Sequence, residues 1–207
     1  MYKYVYFWGM RNKVKIIVAV IVIMVFAILG YTQLYCPISI KPKMMECITW
    51  DSTYEGTKAR AESYNNGELD KETTFVHAFD GKLPSEDPND YMDIYCTLEI
   101  TNRSIFDLTY IDAIVLELGP HADNVLFSTS ASHHVTGTGS VFKLSKGNIT
   151  FFLNIYIGDL DEAAIKELAR GIKAKVIYKG EAIELKEEII DFSRCKDITL
   201  ENTLTNW

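Results

Sequence analysis

The side chains able to do chemistry are spread thinly through this sequence, so their spacing decides what they could do. His133 and His134 are neighbours; on a strand they point to opposite faces and cannot chelate one ion together. His77 and His121 have no acidic or thiol partner close by in sequence, which points to surface or packing roles. Glu86, Asp87, Asp90 and Asp93 offer the oxygen ligands that calcium prefers, without the D-x-D-x-D-G spacing of a calcium loop; a solvated acidic turn is expected. Ser128, Ser130 and Ser132 alternate as on the polar face of a strand, and no G-x-S-x-G elbow is present. Gly137-Thr138-Gly139 leads into neither GK[ST] nor a helix and reads as a turn. Asn102-Arg103-Ser104 and Asn148-Ile149-Thr150 are glycosylation sequons in form. The expectation is therefore no catalytic residue, no cofactor and no metal.

Four cysteines, Cys36, Cys47, Cys96 and Cys195, allow three full pairings. Proximity in sequence favours 36–47 with 96–195; the alternative is free buried thiols that behave as small apolar groups. There is no C-x-x-C pair, so neither a zinc ribbon nor a thioredoxin-type site is indicated.

The elements that must position these residues divide sharply by charge. Of 207 residues, the first 30 contain four bases (Lys3, Arg11, Lys13, Lys15) and no acid, leaving 17 bases against 28 acids beyond them. So acidic a remainder argues against nucleic acid as a partner. Ile16 to Ile40 is free of charge, and the run Ile16–Tyr35 has the ~20 residues that cross a bilayer. The basic N-terminal flank puts residues 1–15 in the cytoplasm and the bulk outside, as a single-pass protein. A cleaved signal peptide is the competing reading, weakened by the lack of an A-x-A site. Either way the bulk is exported.

Beyond the anchor, residues 36–73 read as a polar, membrane-proximal stalk, 74–195 as a folded domain and 196–207 as a tail. Strands are expected at Thr74–Phe79, Asp93–Thr101, Leu108–Leu118, Val125–Ser130, His133–Thr138, Ile149–Ile157, Ile172–Tyr178 and Ala182–Phe192. The Ile149–Ile157 alternation should turn Phe151, Leu153 and Ile155 to the core and Thr150, Phe152 and Asn154 away from it. One helix is expected between Asp159, paired with Glu162 as a capping box, and a left-handed stop at Gly171. Lys179-Gly180-Glu181 should make a tight hairpin between the last two strands. Short strands with frequent turns and no strand–helix alternation imply an all-β, antiparallel sandwich with one short helix.

The order YCTLEITN, LTYIDAIVLEL, ITFFLNIYI, DLDEAAIKELARG and IKAKVIYKGEAIEL resembles the late embryogenesis abundant group 2 family, also called the water-stress and hypersensitive-response domain. The resemblance covers about residues 74–192. Many members have Asn-Pro after the first long strand, where this chain has Asn102-Arg103. It implies an immunoglobulin-like or fibronectin-like sandwich with a helix before the last strands, a stress-protective role and no shared catalytic site. The function expected from the residues themselves is a membrane-anchored module that binds or scaffolds a protein partner at the membrane surface. A stress-protective envelope protein is the alternative, and an enzyme with a site built from scattered residues comes last.

Overall fold

Alternating apolar and polar side chains commit the long central segments of this chain to strands with one face buried. The computed structural model describes residues 2–35, 38–130, 133–134, 141–181 and 183–202. In chain order these form α1 (Tyr2–Tyr35), β1 (Ile38–Thr49), α2 (Asp51–Asn65), β2 (Thr74–Val76), β3 (Tyr91–Asn102), β4 (Leu108–Glu117), β5 (Val125–Thr129), β6 (His133–His134), β7 (Ser145–Tyr156), α3 (Glu162–Gly171), β8 (Lys173–Gly180), β9 (Lys186–Asp191) and β10 (Ile198–Asn202). They build two sheets, ordered β10-β1-β3-β7-β5-β2 and β6-β4-β8-β9. The pairing of β1 with β10 is parallel, while β3 is antiparallel to both β1 and β7. The architecture is a β-sandwich with a few helices. Ile94, Cys96, Leu98 and Ile100 of β3 and Phe151, Leu153 and Ile155 of β7 share one core with Ile111 and Ala113 of β4 and Ala174 and Val176 of β8.

The expected stalk is not a spacer. Ile38–Thr49 pairs with β3 along its length and with β10 at its far half, so it lies inside the larger sheet. Its pattern was hidden because Lys41, Pro42 and Lys43 interrupt the apolar run, where the register shifts between Pro42 and Met44. Such an irregularity accommodates a proline, which has no N–H to give. Asp51–Asn65, polar and nearly unpatterned in sequence, is a helix laid on the outer face of that sheet. Residues 198–202, expected in a tail, are β10. The last hairpin is wider than expected, since β9 begins only at Lys186.

Two local expectations about α3 also change. Its cap is Asp161, whose side chain accepts the Ala164 N–H at 2.8 Å, rather than Asp159. Gly171 is the last helical residue and is not left-handed. Glycine is required there by closeness: a Cβ would lie 2.4 Å from the Gly119 Cα.

Helix α1 covers the whole Ile16–Tyr35 run. Its described side chains over residues 13–28 are all exposed, a length of about 24 Å at ~1.5 Å per residue. Among the described residues, no helix is long and apolar enough to cross a membrane.

Candidate functional site

Register places five chain segments at one end of the sandwich. Ile38 at the start of β1 pairs with Asn102 at the end of β3, and Asn102 pairs with Ser145 at the start of β7. Across the core, Leu108 at the start of β4 pairs with Gly180 at the end of β8. Asn102 is the hub of this end. Only 1% exposed, it donates from Nδ2 to the carbonyls of Phe106 (2.9 Å) and Val141 (3.2 Å), and its Oδ1 accepts the Ser104 N–H at 2.8 Å. Ser104 Oγ accepts the Phe106 N–H at 2.9 Å, and the Leu144 N–H donates to the Ser104 carbonyl at 3.0 Å. Asp107 Oδ1 accepts the Lys143 N–H at 2.6 Å, while the Asp107 carbonyl accepts the Glu181 N–H at 3.2 Å. Among the described residues, the 103–107 loop is thus tied by backbone hydrogen bonds to the chain at 141–144 and at Glu181. Four apolar side chains stand exposed among the charged ones here: Ile105, Phe106, Phe142 and Leu144. Leu144 takes φ of 53°, a left-handed conformation that bulky residues seldom adopt.

A second polar assembly lies under α2. Asp93 and Asn154 are opposite one another on β3 and β7, on the face away from the main core. Asn154 Nδ2 donates to Asp93 Oδ1 at 2.9 Å, and Thr53 Oγ1 of α2 donates to Asp93 Oδ2 at 3.2 Å. The Thr57 hydroxyl lies 2.9 Å from Asn154 Oδ1 and 2.7 Å from the Thr53 carbonyl. Arg60, three residues beyond Thr57 on the same helix face, stacks 4.9 Å above the Phe152 ring. Burial pushes the Asp93 carboxyl above its usual range, opposed by the Asn154 hydrogen bond, the Arg60 charge and the Thr53 hydrogen bond. Tyr91, Leu126, Phe127, Phe79 and Ala61 fill a smaller apolar core beside it. The outward direction expected for Asn154 holds, but α2 covers it, so it is fully buried.

A groove of about 540 Å³ opens between the first half of β1 and β9, lined by Ile40, Pro42, Ile189 and Ile190 together with Lys41, Asp191 and Arg194. In the described residues β10 pairs only with Met45–Thr49 and β9 only with β8, so both strand edges along this side are open.

The residues singled out from sequence are dispersed. Cys47, Cys96 and Cys195 are free buried thiols, so the expected 96–195 bridge is not formed; Cys36 lies outside the described residues. Burial pushes the Cys96 thiol well up, with Cys47 and Cys195 adding to it, and pushes Cys47 up to about 12. Asp87 caps a short turn at residues 88–90, accepting from the Asn89 backbone and side chain, which holds its carboxyl below the usual range. No three His, Cys, Asp or Glu side chains among the described residues converge on a metal site. The Asn102 sequon is closed, because its Nδ2 is buried and engaged. His121 lies 3.8 Å from Glu167. The β6 pair His133–His134 lies opposite Ile111 and Tyr110 of β4. Gly137-Thr138-Gly139 lies outside the described residues.

Sequence missed one contact of chemical interest: His77 Nε2 is 2.8 Å from Ser128 Oγ. A serine beside a histidine is the geometry of an activated nucleophile. Ser128 is fully buried, however, so no substrate reaches its hydroxyl, and burial holds the His77 ring below its usual pKa. The pair packs β2 onto β5.

No family model matches the chain, and no curated protein matches it. Among solved structures, it is similar to an uncharacterised β-sandwich protein from Clostridium difficile 630, at 8% identity over 76% of this chain and 87% of that one, with a TM-score of 0.27. It is similar also to a candidate lipoprotein from Bacillus subtilis, at 7% identity over 59% of this chain and 35% of that one (TM-score 0.23). A protein from Archaeoglobus fulgidus shares 13% identity over 57% of this chain and 92% of its own length (TM-score 0.22).

Proposed function

We propose that α1 crosses the membrane once, N-terminus inside, and holds the sandwich at the outer surface, where it works by binding a protein partner rather than by turnover. One observation carries the reading: the uncharged run Ile16–Tyr35, which lies on α1 and extends past the described side chains at 13–28, ends two residues before the first strand of the sandwich. A module joined so closely is confined to the membrane surface. The groove beside β9 is the binding surface that fits best, because open strand edges accept an extended segment through backbone hydrogen bonds while an apolar floor selects its side chains. Lysine and proline at Lys41, Pro42 and Lys186 discourage indiscriminate edge pairing, which is how natural sheets guard such edges.

The test uses the full chain in its native membrane, with a photo-crosslinking residue in place of Ile189 and a second at Leu116 on the far side of β4. A discrete protein adduct from position 189 and none from 116 is expected, and Ile189→Asp should prevent co-purification of that protein from detergent. Equal adduct patterns at both positions would sink the groove as the site. Protease added to intact cells should remove the sandwich and spare residues 1–15; protection of the sandwich would overturn the orientation.

A further inference from the structure

We propose that the loop tips bearing Ile105, Phe106, Phe142 and Leu144 rest in the headgroup–acyl boundary of the bilayer, so that the sandwich stands on the membrane with a defined end down. The proposal rests on the reading of α1 as the span.

Three independent observations converge on that end. The first is position. Tyr35 closes α1 and Ile38 opens β1, and three residue steps reach at most about 11 Å. The end of the sandwich where Ile38 pairs with Asn102 is therefore within about a dozen ångströms of where the helix leaves the bilayer. The second is surface chemistry. Beyond α1, nine large apolar side chains are exposed among the described residues, and five of them are on the loops of this end: Ile105 (51%), Phe106 (38%), Phe142 (60%), Leu144 (69%) and Leu185 (60%). The first four are on loops whose backbone the Asn102, Ser104 and Asp107 hydrogen bonds hold, with Leu144 left-handed. Fixed apolar tips on an otherwise hydrated surface are what an interfacial lipid contact needs. The third is charge. Residues 103–107, 141–146 and 179–185 carry four bases (Arg103, Lys143, Lys146, Lys179) against three acids (Asp107, Glu181, Glu184), while the whole exported part has 17 bases against 28 acids. The acidic surplus that headgroup phosphates would repel is elsewhere. Because this end is near neutral, apolar insertion and not attraction to anionic lipid supplies the contact.

The full chain is reconstituted in nanodiscs of phosphatidylcholine containing a phosphatidylcholine with a diazirine near its glycerol end. After illumination and digestion, lipid adducts are mapped by mass spectrometry. Adducts are expected on peptides of α1 and on those containing residues 103–107 and 141–146, but not on the Leu116–Pro120 turn at the opposite end. Phe142→Ser with Leu144→Ser should abolish the adducts on 141–146 and leave those on α1, with an unchanged melting temperature because both side chains are exposed. Adducts on α1 alone would overturn the loop contact and leave the span standing. Adducts on the loops alone would support the contact and refute the span, and adducts on neither would overturn both.

Discussion

Asp93 is a carboxylate placed where a neutral acid is easier to hold. The strands bury it, α2 closes over it, and its three polar neighbours only partly offset the lost hydration. Because its folded pKa is raised above the ordinary 3.8, its contribution to stability is fully present below that value and is lost as pH rises through the folded one. The wild type should lose stability relative to Asp93→Asn as pH rises above about 4, read as the difference between their urea-unfolding free energies at each pH. His77, whose pKa is lowered, acts with the opposite sign below the ordinary histidine value, but it is common to both proteins and cancels in that difference. Parallel pH profiles would mean that Asp93 ionises as freely in the fold as out of it. The buried thiols behave simply by comparison: with Cys47 held near 12, almost none of it is thiolate at neutral pH.

At the scale of elements, α2 changes what the larger sheet needs. A sheet with one face in water turns polar residues outward and asks little of them. Here the outward row of β3 and β7 meets Thr53, Thr57 and Arg60 of α2, so it must be both polar and matched. Leu153→Ala should cost about 2–5 kcal/mol by opening a cavity in the main core. Asn154→Ala should cost about 2–3 kcal/mol, nearly as much, because it leaves Asp93 and Thr57 buried with fewer partners. From alternation alone the Asn154 change should cost far less than the Leu153 change. Chemical denaturation of the two variants distinguishes these outcomes, and a negligible effect at Asn154 would mean that α2 does not cover the sheet in solution.

For the whole molecule, the proposed membrane reading makes α1 a tether separable in chemistry from the module. The uncharged run of α1 has no ionisable group of the kind that proton relays and substrate pathways require. Ala19, Ala27 and Gly30 are its small residues, and they form no G-x-x-x-G pair for specific helix packing. Exchanging residues 1–35 for an unrelated single span of the same orientation should therefore preserve partner capture and the lipid adducts of the loop tips. Loss of capture with normal surface display would show that α1 makes specific contacts of its own. A second consequence of scale is charge: on the proposed arrangement, an acidic module standing on a neutral end would leave its repulsive surface facing outward, away from the lipid phosphates.

The sequence by itself determined what depends on neighbours along the chain. Period-two alternation in β3 and β7 located the strands and their core-facing residues, because a pleated strand needs no distant information to choose its faces. The uncharged run and its basic flank likewise stand on composition. Tertiary structure alone decided what depends on pairing. β1 carries a proline and two lysines yet is a strand because β3 and β10 supply its hydrogen bonds. α2 has almost no apolar stripe of its own; the asparagine and aspartate of two strands receive its threonines. Ile105, Phe106, Phe142 and Leu144 lie in two stretches of sequence some 35 residues apart, and neither stretch is notable alone. Only the register that brings Ile38, Asn102 and Ser145 side by side makes them one surface, at the end where the chain leaves α1.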